Sequence, residues 1–230
     1  MKKMRKVITL GAMMFGLFLC SAMAQHKPIK VRNVKGNPFK VVVGTPKPIA
    51  KRDMIYGHEY ADLGLSVKWA TSNIDANNAG GYYGRIVAWG EINEKNSYTP
   101  STSVHYERSR GSISGDSNND LARRVWGGKW RIPTVQEMRE LREKCTWTWS
   151  RESGRNGYVV RSKINGNYIF LPAVGVNYNN GIKEMNVSGF YWTSTPYNNT
   201  SSYRLQFSNG SINVNWGSRY EGYYIRAVCD

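Results

Sequence analysis

Histidines are the first place to look for acid–base or metal chemistry, and the chain has three: His26, His58 beside Glu59, and His105 near Glu107. A zinc-type site needs three or four ligands, and two on one helix want i, i+4 spacing. These positions supply neither, so surface histidines are expected, with no metal and no other cofactor. Nucleophile chemistry fares no better. Gly111-Ser112-Ile113-Ser114-Gly115 has the outline of an esterase elbow, but the central position, where the nucleophile must stand, holds Ile113. Carboxylate pairs such as Glu91 with Glu94, or Asp116 with Asp120, are the raw material of glycoside hydrolysis. Among 16 acidic residues such pairs arise by chance. No phosphate-cradling loop or dinucleotide fingerprint is present. No catalytic residue is expected.

The richest binding chemistry lies late in the chain. Tyr197, Asn198, Asn199, Tyr203, Arg204, Asn213, Asn215, Arg219 and Tyr220 fall within a short stretch. Aromatic rings supply contact area at low entropy cost, and amides supply adaptable hydrogen bonds, as in antibody paratopes. Sugar recognition uses the same combination. These nine residues are the expected ligand face, with Asn213, Asn215, Arg219 and Tyr220 exposed side by side. The competing reading is that Asn and Ser are ordinary turn residues here. Arg219-Tyr220 and Tyr203-Arg204 also set a cation beside a stacking ring, as nucleic-acid surfaces do. The export signal described below argues against a nucleic-acid partner.

These residues need elements to hold them. Tyr203-Arg204-Leu205-Gln206-Phe207 alternates, Ser208-Asn209-Gly210 turns, and Ile212-Asn213-Val214-Asn215-Trp216 alternates again. That pattern predicts a hairpin with Leu205, Phe207, Ile212, Val214 and Trp216 inward. Arg204, Gln206, Asn213 and Asn215 then share the outward face. Tyr168 to Pro172, Phe190 to Ser194 and Tyr223 to Cys229 read as further strands. One helix is well marked: Thr134 and Glu137 form a capping box, and Val135, Met138, Leu141 and Cys145 recur on one face. A shorter helix is expected from Asn119 or Asp120, carrying Leu121 and Val125.

Composition bounds the setting. Lys2, Lys3, Arg5 and Lys6 precede an apolar run from Val7 to Leu19 that ends in Ala22-Met23-Ala24. Those are the three parts of a secretory signal, so residues 1–24 are expected to be removed on export. Cys20 raises a rival, a lipid-modified start, against which Leu19 stands where lipoprotein signals carry a small residue. The apolar run is shorter than the roughly 20 residues a membrane-spanning helix needs, and no other long apolar stretch follows. Residues 25–54 read as a basic linker or edge extension with Pro28, Pro38, Pro46 and Pro48, and residues 55–230 as the folded domain. The formal net charge is +16, but much of it sits in the signal and in that extension. Such a tail fits contact with an anionic envelope surface or a solvated linker. The mature chain then holds only Cys145 and Cys229. In an oxidising compartment they are expected to bond if geometry allows, closing a loop worth about 4 to 5 kcal/mol; the alternative is two separate buried thiols.

Several segments together resemble one known family. Asp62-Leu63-Gly64-Leu65-Ser66-Val67-Lys68-Trp69-Ala70-Thr71, Ala88-Trp89-Gly90-Glu91, and Trp126-Gly127-Gly128-Lys129-Trp130-Arg131-Ile132-Pro133-Thr134 follow its pattern in order. So do Phe170-Leu171-Pro172-Ala173, Gly189-Phe190-Tyr191-Trp192-Thr193-Ser194 and Gly222-Tyr223-Tyr224-Ile225-Arg226-Ala227-Val228. The pattern, over about residues 56–230, resembles the Fibrobacter succinogenes major paralogous domain of exported proteins in Bacteroides-type bacteria. The resemblance implies a C-type-lectin-like fold: α+β, with two helices, small antiparallel sheets and long ordered loops. It also implies a disulfide between a helix and the last strand, in line with Cys145 and Cys229, and a ligand face built from the late region. Lectin-type calcium signatures, Glu-Pro-Asn and Trp-Asn-Asp, are absent. The fold's oxidase relatives use a close pair of active-site cysteines, which a helix-to-terminus pair does not match. Some members of the fold are diversified by retroelements that enrich Asn, Tyr and Ser near the C-terminus, and this ending is similar.

The resulting expectation is an exported, non-catalytic module that recognises a glycan or a surface protein through the late Tyr/Asn/Arg face. The alternatives are a structural or interaction protein of the cell envelope and a retroelement-diversified variable binding protein. An enzyme of the oxidase-like branch is a further one.

Overall fold

A computed structural model describes residues 52–76, 82–179 and 181–230. The expected signal segment 1–24 and all but the last residues of the 25–54 extension lie outside the described residues, as does His26. The described elements run β1 (Arg52–Ile55), β2 (His58–Ala61), β3 (Lys68–Ala70), α1 (Leu121–Trp126), α2 (Val135–Lys144), β4 (Cys145–Glu152), β5 (Arg155–Ser162), β6 (Tyr168–Pro172), β7 (Val176–Tyr178), β8 (Gly181–Lys183), β9 (Ser188–Pro196), β10 (Ser201–Ser208), β11 (Ser211–Ser218) and β12 (Val228–Cys229). The class is α+β and mainly β: two helices among small antiparallel sheets. The sheets have strand orders β1-β2-β3-β12, β4-β5-β6, β7-β8 and β11-β10-β9.

Both helices start where their capping chemistry says. Thr134 accepts from the Glu137 amide at 3.3 Å while the Glu137 carboxylate accepts from the Thr134 amide at 2.7 Å. Arg131 adds two bonds to the same carboxylate, at 2.9 and 2.7 Å. Burial alone would raise the Glu137 carboxyl; Arg131 and the cap more than offset it and hold it below the usual range. Asp120 caps α1 and is fully buried. Its carboxylate accepts from the amides of Arg123 at 3.1 Å, Gly115 at 2.8 Å and Ile132 at 2.9 Å. One side chain therefore starts the helix and pins two flanking segments to it. The Asp116–Asp120 pair is scaffolding.

The interior divides into two apolar clusters with β9 between them. Tyr191, Leu205, Phe207, Met138, Leu141 and Val160 belong to the first. Phe190, Trp192, Trp89, Trp130, Tyr223 and Ile225 belong to the second. Strand β9 is buried on both faces over most of its length, so it reads as a continuous run without alternation. Gly189 on that strand leaves room for the Phe207 ring, which a Cβ would strike.

Three expectations about the strands and the core need correcting, and those about single site residues are taken up with the site. The last strand, expected from Tyr223 to Cys229, is regular only at Val228–Cys229. Ahead of it the chain is a buried thread whose backbone bonds go to separate partners: Tyr223 to Val87, Tyr224 to Phe190 and Trp192, Ile225 to Ile74, and Ala227 to Ala70. The cysteines are not bonded to each other. Cys145 packs in the first cluster and Cys229 in the second. Burial pushes the Cys145 thiol up to about 11 and raises that of Cys229, so both are inert buried thiols. Trp216 is the third, taken up below. Strands β1, β2, β3, β4, β5, β7 and β8 were not anticipated, although Tyr56-Gly57 and Ser153-Gly154 mark the β1–β2 and β4–β5 turns, with φ of +47°, +77°, +48° and +78°.

The two caps differ in a measurable way. Thr134→Ala removes one acceptor and is expected to cost about 1 kcal/mol. Asp120→Ala leaves three amides without an acceptor and is expected to cost at least about 3 kcal/mol. Urea unfolding of both variants checks this; equal costs would show that Asp120 does not hold its neighbours.

Candidate functional site: an aromatic platform at the end of the last hairpin

Strands β10 and β11 pair across a two-residue turn, Asn209-Gly210, with Gly210 at φ +88°. The register sets Tyr203 opposite Trp216, Leu205 opposite Val214 and Phe207 opposite Ile212. All six side chains therefore share one face. Leu205 and Phe207 are buried, and Trp147 and Trp149 of β4 pack on Phe207 at 6.4 Å each. At the other end of the hairpin that cover runs out. Trp216, expected inward, points to the core side of the sheet but is 53% exposed.

Its ring lies parallel to Tyr197, centroids 5.6 Å apart and planes within 5°. Tyr197 is itself 50% exposed. Tyr203 meets the Tyr197 ring edge-on at 5.4 Å, and Arg139 from α2 lies 5.5 Å over Tyr203. Beside them Asn198 closes a tight turn, its side-chain oxygen accepting from the amides of Thr200 at 3.0 Å and Ser201 at 2.8 Å. Asn198 and Asn199 are exposed. Three aromatic rings, a cation and two amides thus gather on one edge of the molecule.

The remaining expected residues do not join them. Arg204, Asn213 and Asn215 project from the opposite face of the hairpin. Arg204 lies 5.0 Å over Phe190 and 5.1 Å over Tyr223, and donates to Gln206 at 2.9 Å and to the Tyr223 hydroxyl. Asn215 also donates to Gln206, at 3.5 Å, and Asn213 to Ser211, at 2.9 Å. Tyr220 is half-buried against Tyr106 at 5.3 Å. Arg219, expected on the ligand face, has no exposed surface. Its guanidinium donates to Ser202 Oγ at 3.0 Å and to the carbonyls of Ser201, His105 and Arg108 at 3.3, 3.2 and 2.8 Å. It also lies 4.2 Å over Trp89. Burial, with Arg110 nearby, pulls it down to about 10, still charged at neutral pH. The residues missed by sequence are Trp216 and Arg139; the cross-strand pairing of Trp216 with Tyr203 was the available signal.

The groups with catalytic potential are otherwise engaged. Glu91 accepts from Lys95 and from the Val104 amide, both at 2.9 Å, and Glu94 from the Ile86 amide at 3.0 Å. His58 stacks on Trp126 at 4.0 Å. His105, expected on the surface, is buried, with Nε2 3.1 Å from the Gly90 carbonyl. Among the described residues no three His, Cys, Asp or Glu side chains gather as a metal set.

The class defined by these observations is a mainly antiparallel α+β domain with an exposed aromatic platform. Residues 147–228, from β4 into the terminal thread, match a family described as a domain of unknown function (DUF8237). The matched stretch includes Tyr197, Tyr203 and Trp216, while Arg139 precedes it. No curated protein and no solved structure matches the chain.

Two outcomes test this division between core and surface. Trp216→Ala is expected to change stability by no more than about 0.5 kcal/mol, whereas Arg219→Ala strands several buried acceptors and is expected to cost about 3 kcal/mol. Urea unfolding decides it, and a reversed order would overturn the assignment. The second outcome concerns pH. Burial first, then Arg110, holds His105 below its ordinary 6.5. The unfolded chain therefore takes up this proton at higher pH than the folded one does. Stability is intact above about pH 6.5 and falls as pH drops through the window down to the folded value. His105→Gln is expected to flatten that part of a plot of melting temperature against pH.

Proposed function

We propose that this chain is an exported, non-catalytic binding module that takes a glycan on the Tyr197–Trp216 platform. The observation that carries the reading is the exposure of two parallel aromatic rings at the end of a well-packed hairpin. Large aromatic side chains are ordinarily buried, and an exposed cluster marks an interaction surface. The apolar face of a pyranose lies flat on such rings, while Arg139 and the exposed amides beside the turn that Asn198 closes can meet its hydroxyls. Support also comes from the carboxylates weighed for hydrolysis, which are tied to backbone amides and cations. The basic start of the chain fits export, and the resemblance to the major paralogous domain fits a C-type-lectin-like module that binds through its late region.

A protein partner is the second reading. It is favoured by β11, which lies at the edge of its sheet with Ile212, Val214 and Trp216 along one side. An unpaired edge can accept a strand from another chain. Retroelement diversification belongs to this reading, since it would vary a protein contact on the late surface, whereas a structural role in the envelope would make its contact through the basic residues 25–54.

A screen of the full chain against glycan and surface-protein arrays tests the proposal. Glycan binding is expected, weakened at least about tenfold by Trp216→Ala and by Tyr197→Ala, with melting temperature showing that the variants fold. Glycan binding indifferent to both substitutions would remove the platform from the site. Protein binding alone, or none from folded chain, would overturn the glycan reading.

A further inference from the structure

A cavity of about 200 Å³, lined by none of the platform residues, lies between the segment after β3 and the β4–β5–β6 sheet. Arg226, from the terminal thread, and Arg155, from β5, both line it. Arg226 is almost completely buried. Its guanidinium donates to Asn73 Oδ1 at 3.0 and 2.8 Å and to the carbonyls of Ala70 and Thr71 at 3.2 and 3.0 Å. All these acceptors are neutral. Burial, with the charge of Arg155 acting in the same direction, pulls Arg226 down to about 10, so it remains a cation at neutral pH.

Arg155 is also without a carboxylate partner among the described residues. It stacks 4.4 Å over Tyr82 and donates to the Tyr82 carbonyl at 3.3 Å, while its Nε is buried with no hydrogen-bond partner. Glu152 faces it across the β4–β5 hairpin and lines the same cavity, yet forms no ion pair with it. Two guanidiniums therefore share one cavity and repel each other. Buried cations are ordinarily paired, and two guanidiniums with no ion pair to the one carboxylate beside them carry a cost that an anionic ligand would relieve.

From this arrangement we infer that the cavity binds a small hydroxylated monocarboxylate of the uronic-acid type. The ligand carboxylate lies against Arg155 and Arg226, where charge-assisted hydrogen bonds to a guanidinium are strongest. Glu152 leaves the cavity a net single positive charge, which favours a monoanion over phosphate or sulfate. Its carboxylate can accept only from donors, which is what sugar hydroxyls offer, and Ser72 adds a hydroxyl beside it. Phe170 and Pro172 supply an apolar wall. The volume is below the 300 to 1,000 Å³ or so of drug-sized pockets, which fits a single sugar unit. This site is independent of the Tyr197–Trp216 platform.

Calorimetric titration of the full chain with sodium glucuronate, glucose, acetate and inorganic phosphate tests it. Saturable glucuronate binding is expected, with glucose, acetate and phosphate each at least about tenfold weaker. Arg155→Gln is expected to weaken glucuronate at least about tenfold and Glu152→Gln to strengthen it and admit phosphate. Arg155 carries the test because Arg226 also holds the chain together, and melting temperature confirms that each variant folds. Four results would overturn the inference: no glucuronate binding by folded chain, phosphate binding as tightly, glucose binding as tightly, or glucuronate binding unchanged in Arg155→Gln. Glucuronate binding lost in Trp216→Ala but kept in Arg155→Gln would overturn it too and place the sugar on the platform.

Discussion

Between β3 and α1 the described chain contains no regular strand, and its loops carry backbone carbonyls into the interior. A buried carbonyl needs a donor, and without a regular strand alongside, backbone amides reach only some of these carbonyls and side chains must serve others. The terminal thread and the residues before it meet this requirement with two buried arginines. Arg226 binds the carbonyls of residues 70 and 71, and Arg219 those of residues 105 and 108. A guanidinium suits the task because it offers five donors in a fixed plane and stays charged. Indole and phenol groups add donors of the same kind: Trp192 donates to Val87 and Tyr98 to Ile86 in those loops, and Trp89 to Thr193 and Trp130 to Ile55 outside them. The abundance of aromatics is thus partly a supply of hydrogen-bond donors with apolar bodies.

That solution shapes both candidate surfaces. Because Arg226 enters the interior to satisfy carbonyls, it brings a second cation to the wall of a cavity that holds a single carboxylate, Glu152. Because the hairpin β10–β11 is longer than the elements that cover it, its core-side face continues past the core and ends in exposed rings. The first adds an electrostatic cost and the second exposes apolar area, so each is the kind of local departure from good packing that binding sites show.

The parts of the fold legible in the sequence are those with local causes. The capping box at Thr134 and Glu137 forms within four residues, and the period of Val135, Met138 and Leu141 follows from helix geometry alone. The β10–β11 hairpin was equally readable, since alternation and a two-residue turn set its register. The β4–β5 hairpin escaped notice although Thr146-Trp147-Thr148-Trp149 alternates strand-forming residues and Ser153-Gly154 marks its turn. The terminal strand was overread: a run that is apolar but for Arg226 has no period that tells a ladder strand from a thread bonded to scattered partners.

Of the candidate site, the stretch and the residue types were visible in advance, but the side of the molecule on which each residue stands was not. Alternation correctly assigned Trp216 to the core-side face, yet whether that face is covered depends on where α2 and β4 end in space. Arg219 looks like a surface cation in any window of sequence, and it is buried because loop carbonyls from more than a hundred residues earlier need its donors. Cys145 and Cys229 could be paired on paper and lie in different clusters, since the helix end and the chain end pack on opposite sides of the interior. Sequence alone determined the helices, their caps and the hairpin register, which arise from neighbours along the chain. Burial, exposure and pairing were decided only by tertiary structure, because they depend on what a distant segment places against each residue.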